Sequence, residues 1–549
     1  MRWWGWGDPA TPPALSSGAL RFLAENMGMA EQPRPPVALR EVRLPPPALP
    51  GRALERLQEV VGAANVREDH RERVLRAAGK GYPDLVRLRA GEPEGAPDAV
   101  VLPDGHDQVR AVLECCAELS VAVVPFGGGT SVVGGVAPLR GDHAGVVALD
   151  LRLLDGVLDL DRESLTVRVG AGMRAPALER RLADSGLTLG HFPQSFEYVS
   201  LGGCAATRSV GQASSGYGGI ARMVLGLRFA TPAGEMALPA IPASAAGPGL
   251  RELVVGSEGT LGVISELALR VRPAPAQKIY EGVFFEDFSG GVEAMRDLAQ
   301  GGGAPDVARL SDEAETRVSL ALAETGGALT AALKRRLGRA YLTARGHRTV
   351  GCLAIFGFEG AAEDVARRRE RTLETARGCG GLAVGHLPGA AWLKSRFSGP
   401  YLRDDLLTQG VMVETLETAV QWSGLERLHG EIAAAISAAM SACGTPGLVM
   451  CHVSHLYPSG ASLYFTFLAR QKEGEELAQW RAVKEAASRA IVEGGGTLTH
   501  HHAVGRDHAP WMEREVGATG LGALRALKAE LDPAGIMNPG KLLALSDRG

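Results

Sequence analysis

Val124-Pro125-Phe126-Gly127-Gly128-Gly129-Thr130-Ser131-Val132 follows the apolar run that begins at Val121. Three consecutive glycines at the end of a strand let main-chain N–H groups converge on an anion with no Cβ in the way, which makes a phosphate cradle. Thr130 and Ser131 add hydroxyl donors, and the lack of Gly-Lys-Ser/Thr excludes a P-loop. The same nine residues also read as an ordinary glycine-rich turn, so the flanking sequence decides. Upstream, Ala99–Leu102 reads as a short buried strand and Asp107–Leu119 as a helix. This βαβ-like texture is expected to continue through Val146–Leu151 and Leu165–Val169 and to end with a strand at Gly262–Val271.

Three more segments of small residues follow. Gly170-Ala171-Gly172-Met173-Arg174-Ala175 fits a dinucleotide fingerprint, but no second strand ending in an acidic residue follows at the required distance. It reads as a strand-to-helix turn leading into a helix at Ala177–Ser185. Phe192-Pro193-Gln194-Ser195-Phe196-Glu197-Tyr198 runs into Ser200-Leu201-Gly202-Gly203-Cys204-Ala205-Ala206-Thr207-Arg208-Ser209, a long loop suited to backbone laid against a flat ligand. The last is Gly256-Ser257-Glu258-Gly259-Thr260-Leu261-Gly262-Val263-Ile264-Ser265-Glu266.

The whole chain sets the frame. Its 549 residues exceed what one hydrophobic core supports, and 45% hydrophobic with 22% charged residues is globular composition. A net charge of −4 lacks the basic excess of a nucleic-acid binder. Seven cysteines, with Cys115 and Cys116 adjacent and no CxxC pair, point to a reducing compartment rather than to disulfides or zinc. No run is long and apolar enough to span a bilayer, and the start lacks the apolar core of a signal peptide. The ending Ser546-Asp547-Arg548-Gly549 is not a peroxisomal address, which suggests a cytoplasmic protein. Three tryptophans in Met1-Arg2-Trp3-Trp4-Gly5-Trp6 read as a packing anchor rather than a foot on a lipid surface. Beyond residue 275, strand-like Gly282–Phe285 and Thr349–Phe358 alternate with helices at Gly291–Gln300 and Ala362–Cys379, and Ser462–Leu468 adds a strand. That pattern predicts an α+β cap built on an antiparallel sheet. The expected division is an N-terminal region (1–94), the glycine-loop domain (95–274), the cap (275–500) and a C-terminal segment returning to the site (501–549).

Candidate reactive side chains lie in the cap and tail. His500-His501-His502 lacks the i,i+4 spacing and further ligand of a zinc site. In an extended segment neighbouring side chains point to opposite faces, so at most two of the three face one ligand. Histidines there suit proton transfer and anion contact near neutral pH. Tyr464 lies in the strand Leu463–Phe467, whose alternate positions face the site, and its plainer reading is a core aromatic. A phenol is a weak base unless positive neighbours lower its pKa, a role open to the histidines and Arg309. Arg309 and Arg403 are candidate anion clamps.

In order and spacing, the segments Pro125–Ser131, Phe192–Tyr198, Ala205–Arg208 and Glu258–Ile264 together resemble the FAD-binding domain of the vanillyl-alcohol oxidase (p-cresol methylhydroxylase, PCMH) superfamily. The resemblance implies an α+β fold: a two-subdomain PCMH-type FAD domain with the cap above it, and those four segments as the FAD contacts. Many members tether FAD through a histidine in the first loop. Here that loop carries glycines, so FAD is expected to be non-covalent. Arg2-Trp3-Trp4-Gly5-Trp6-Gly7, Arg76–Leu85, Ala308-Arg309-Leu310-Ser311-Asp312, Pro400-Tyr401-Leu402-Arg403-Asp404, Tyr457–Phe465 and Thr499–Gly505 further resemble the alkyldihydroxyacetonephosphate synthases, end to end. That resemblance implies exchange of the acyl group of acyl-dihydroxyacetone phosphate for a fatty alcohol through a flavin N5 adduct, forming an ether lipid. Tyr464 would then move the proton, with His501, His502 and His500 assisting. Arg403 would hold the substrate and Arg309 would lie near the flavin or the departing carboxylate. It also implies a small-molecule lipid substrate, peripheral membrane contact and a homodimer. The tail Asn538-Pro539-Gly540-Lys541-Leu542-Leu543 looks more like the hydroxy-acid dehydrogenases of the superfamily, so oxidation of a 2-hydroxy acid is the alternative.

Overall fold

The computed structural model describes residues 1–544 except 9, 11–14, 29–32, 323–342 and 344–348; the C-terminal tetrapeptide lies outside the described residues. The glycine loop leaves a four-stranded sheet ordered Val66–Arg67, Ala99–Val101, Gly145–Asp150, Val121–Phe126. Ala99–Val101 and Val121–Phe126 both run parallel to Gly145–Asp150, and the helix His106–Glu118 makes the crossover. Its Val109, Val112, Leu113, Cys115 and Cys116 are buried, as the apolar periodicity predicts.

The βαβ expectation fails at the next strand. Thr166–Gly170 belongs to a second, antiparallel five-stranded sheet, paired with Val157–Asp161 and Val263–Arg270. The physical reason is in its side chains: Val167 and Val169 are buried while Arg168 between them is exposed. That is the alternation of an antiparallel strand with one wet face, whereas parallel strands are apolar on both faces. Gly170–Arg174 is the strand-to-helix turn expected, entering a helix at Ala175–Ala183.

The cap is a seven-stranded antiparallel sheet ordered Leu382–Gly385, Gln277–Phe285, Cys352–Gly360, Val307–Ser311, Gly447–Tyr457, Gly460–Arg470, Val411–Gln421. Thr349 and Val350 form a bend ahead of the strand expected to begin there. The period of two sorts the side chains of this sheet. Ala308, Leu310, Cys451, Val453, Leu463, Phe465 and Phe467 enter a core with the helices Phe288–Gln300, Trp422–Ala442 and Glu476–Glu493. The intervening Arg309, Met450, His452, Tyr464, Thr466 and Leu468 line a cavity on the opposite face.

Both chain ends close on this frame. Asp404, buried on the helix Gly399–Thr408, accepts from Arg2 Nη1 (3.1 Å), Trp6 N (2.9 Å) and Gly7 N (3.1 Å). Lys80 Nζ donates to the carbonyls of Arg2 and Trp3, and Trp6 is buried at the cavity wall. The Trp-rich start is thus a packing anchor. At the other end Asn538 Nδ2 donates to the carbonyls of Glu258 and Gly135, and Met537 bridges to Val123. Asp404→Ala removes the carboxylate from a buried ion pair and from two buried N–H groups. It is expected to cost about 3–5 kcal/mol, read as a lower denaturant midpoint and as rapid proteolysis within the first residues.

Candidate functional site

One cavity of about 500 Å³ is lined both by the glycine loop and by the face of the cap sheet opposite the helices Phe288–Gln300, Trp422–Ala442 and Glu476–Glu493. All of Pro125–Ser131 lines it. A Cβ on Gly128 would lie 2.5 Å from Tyr198 O and 3.0 Å from Val199 Cα, so only glycine fits there. The N–H groups of Gly128, Gly129 and Thr130 find no acceptor among the described residues. Donors presented by bare main chain are what a pyrophosphate needs.

The later segments contribute in part. Pro193, Gln194 and Ser195 face the cavity, as do Ala206, Thr207, Glu258, Gly259, Gly262, Val263 and Ile264. The others turn away. Phe192 and Phe196 pack ring to ring (5.3 Å), Glu197 is exposed, and Tyr198 stands edge-on to Tyr401 (6.4 Å). Ala205 and Leu261 are buried in the core of the glycine-loop domain, Thr260 Oγ1 donates to Ser257 O (2.7 Å), and Arg208 is half exposed beside Glu252. A segment that crosses a ligand surface presents only some of its side chains to it.

The opposite wall is chemical. Tyr464 is paired across the sheet with Glu417 on one side and His452 on the other, and the His452 ring stacks on it (4.9 Å, 21°). Arg403 lines the cavity with Nη2 3.2 Å from Glu414 Oε1 and Nη1 donating to Lys80 O. Arg309 lines it with Nη2 2.8 Å from Glu315 Oε1 and Nη1 3.2 Å from His452 Nε2. Each guanidinium is thus oriented by a carboxylate before any ligand arrives.

The three histidines wrap one buried carboxylate. Glu417 accepts from the main-chain N–H of His500, His501 (3.0 Å) and His502 (2.8 Å), and from Thr499 Oγ1 (2.7 Å). This corrects the expectation of an extended segment. Converging three successive N–H groups on one acceptor bends the chain, so the adjacent rings of His501 and His502 share the cavity. His500 turns to Tyr457, its Nε2 2.7 Å from the phenol oxygen.

Burial would raise the Glu417 carboxyl, but the His501, His502 and His500 rings and the His501 N–H hold it well below the usual carboxylate range. Burial in turn lowers His501 against the pull of Glu417, puts His502 well below its ordinary value, and takes His500 to about 4. At neutral pH the site therefore holds neutral imidazoles around an anionic carboxylate. Burial raises the Tyr464 phenol, opposed by the Thr415 hydroxyl and Arg403. The expected lowering by the histidines and Arg309 does not occur: those rings are neutral, and Arg309 is engaged by Glu315.

Two family models cover most of the chain: an FAD binding domain matches residues 97–237, and the C-terminal domain of FAD linked oxidases matches 274–542. Alkyldihydroxyacetonephosphate synthase of Dictyostelium discoideum is 31% identical over 573 residues, spanning 99% of this chain and 93% of that protein. The chain belongs to the alkyldihydroxyacetonephosphate synthase family. A solved alkyldihydroxyacetonephosphate synthase matches with a TM-score of 0.84 at 29% identity, covering 98% of each chain. p-Cresol methylhydroxylase with substrate bound matches at TM-score 0.69 and 16% identity over 92% of this chain and 100% of that one, which shows the shared fold. FAD is the cofactor of this family member, and the glycine loop with its unbonded N–H groups fits it.

Several residues of the site escape a reading of sequence alone. Ser200, Gly202, Gly203 and Cys204 stand in a quoted segment but outside the assigned contacts, and Trp6 enters from the chain start. His452, His455 and Glu417 are polar residues inside apolar strands, a signal that buried polar groups have partners. Gly128→Ala is expected to lower FAD affinity more than about tenfold, measured as flavin absorbance per protein after gel filtration. Glu417→Gln tests the carboxylate. A depressed carboxyl contributes stability above its ordinary value of 4.5 and loses it as pH falls. The stability gap between parent and variant, from denaturant midpoints, is expected to be widest at neutral pH and to close on acidification.

Proposed function

We propose that this protein is a flavin-dependent alkylglycerone-phosphate synthase, exchanging the acyl group of acyl-dihydroxyacetone phosphate for a fatty alcohol. The observation that carries this reading is one cavity with three kinds of wall: the glycine loop, the cluster of Tyr464, His501, His502, Arg403 and Arg309, and an apolar end of Val318, Leu402, Leu406, Val413, Met450 and Leu468. Along the strand Gly460–Arg470, the inward positions Tyr464, Thr466 and Leu468 pass from polar to apolar in about 13 Å. A phosphate headgroup with a long chain suits that gradient, since each buried methylene contributes about 0.8 kcal/mol. A small 2-hydroxy acid has no use for the apolar end. The tail motif that suggested it serves packing instead: Asn538 and Lys541 donate to main-chain carbonyls.

Bound flavin supplies an electron sink for the carbon whose oxygen substituent is exchanged. In this reading the neutral Tyr464 phenol relays the proton of that carbon to the imidazole of His501, with His502 assisting beside it. Glu417, 3.5 Å from His501 Nδ1 and 3.8 Å from His502 Nδ1, offsets the charge that the imidazole then carries. Arg403 holds the phosphate and Arg309 steadies the departing carboxylate. With glycine where relatives of the superfamily tether the cofactor, FAD is held by contacts alone. No helix among the described residues is long and apolar enough to cross a membrane. Access to long-chain substrates is read as peripheral docking, near the helix Glu313–Leu322, where Leu320 is exposed and Val318 lines the apolar end.

Incubation with acyl-dihydroxyacetone phosphate and labelled hexadecanol is expected to yield labelled ether; its absence, with turnover of a 2-hydroxy acid and an artificial acceptor, overturns the reading. Tyr464→Phe is expected to lower ether formation by about 100-fold or more while flavin content stays unchanged.

A further inference from the structure

The cap strand Gly447–Tyr457 carries a bulge at His455, whose φ of +54° and register shift turn its ring toward the histidine bend. Ring nitrogens of His455, His500 and His501 lie within 4.8 Å of one another. His500 Nδ1 and His501 Nδ1 are 3.0 Å apart, and the His455 ring stacks on His500 (5.1 Å) and meets His501 edge-on (5.2 Å).

We propose that His455, His500 and His501 bind one divalent ion of the zinc class, and that its binding arrests turnover by withdrawing His501 from the cavity. Spacing within His500-His501-His502 argues against zinc for want of a further ligand; the bulge supplies one from a strand about 45 residues upstream in sequence. Three further features fit. Imidazole is a preferred donor for zinc, copper and nickel. The rings are already oriented from behind, as metal-binding histidines are: His455 Nδ1 lies 2.6 Å from Ser214 Oγ and His500 Nε2 2.7 Å from Tyr457 Oη. The Glu417 carboxylate, 3.5 Å from His501 Nδ1, offsets the charge of an ion. Tetrahedral zinc–nitrogen bonds of about 2.0–2.1 Å put nitrogens roughly 3.4 Å apart, so separations of up to 4.8 Å close by about 1.4 Å and the His500–His501 pair opens slightly, within reach of side-chain rotation. Three protein ligands leave a fourth position for water.

The arrest rests on the proposed function; the binding does not. The full-length flavoenzyme, freed of metal by chelator, is titrated with zinc chloride by calorimetry and with cobalt(II) by its visible absorption beyond the flavin bands. One equivalent of each ion and a tetrahedral cobalt spectrum are expected. His455→Ala and His500→Gln, each keeping its flavin, are expected to weaken binding at least tenfold. No bound equivalent in the parent, or unchanged affinity in both variants, overturns the site. Ether formation that persists at saturating zinc overturns the arrest. A metal-binding protein that forms no ether with or without zinc supports the site and rejects the functional reading instead.

Discussion

The acceptance of three consecutive main-chain N–H groups by the Glu417 carboxylate is the interaction on which the site depends. It joins the outer strand of the cap sheet to the segment that follows the helix Glu476–Glu493. A buried carboxylate with several donors remains ionised despite its desolvation. The same bonds fix the main chain that carries the rings, and Tyr457 with the neighbouring His501 ring orients His500. Neutral imidazoles beside a buried anion form a base whose protonated state is partly offset by that anion.

The cap sheet makes a second division of labour possible. Its alternation gives Leu463, Phe465 and Phe467 to the core and Tyr464, Thr466 and Leu468 to the cavity. Reactive residues thus sit on a rigid strand held by the packing of their immediate neighbours. Precision of this kind is what catalysis by positioning requires.

Much of this is legible in the chain itself. The glycine loop is readable because its demand is local: no Cβ fits at Gly128. The cap is readable from strands that alternate with helices, and Tyr464 from its place in a strand. Glu417, His452 and His455 are not, because their meaning depends on register. Glu417 meets Tyr464 and the histidine bend only after strands distant in sequence align. The parallel reading of Thr166–Gly170 fails because its valines alone suggest a buried strand, while the arginine between them marks a wet face. The alternation expected of the histidines fails because a carboxylate elsewhere in the chain bends the backbone there.

The anchoring of the first residues on Asp404 has a consequence for the order in which the molecule is made. Trp6 emerges from the ribosome almost four hundred residues ahead of its partner, and Glu258 waits for Asn538. Closing loops of that length is slow relative to forming local helices and hairpins. The cavity walls therefore meet only when nearly the whole chain is available.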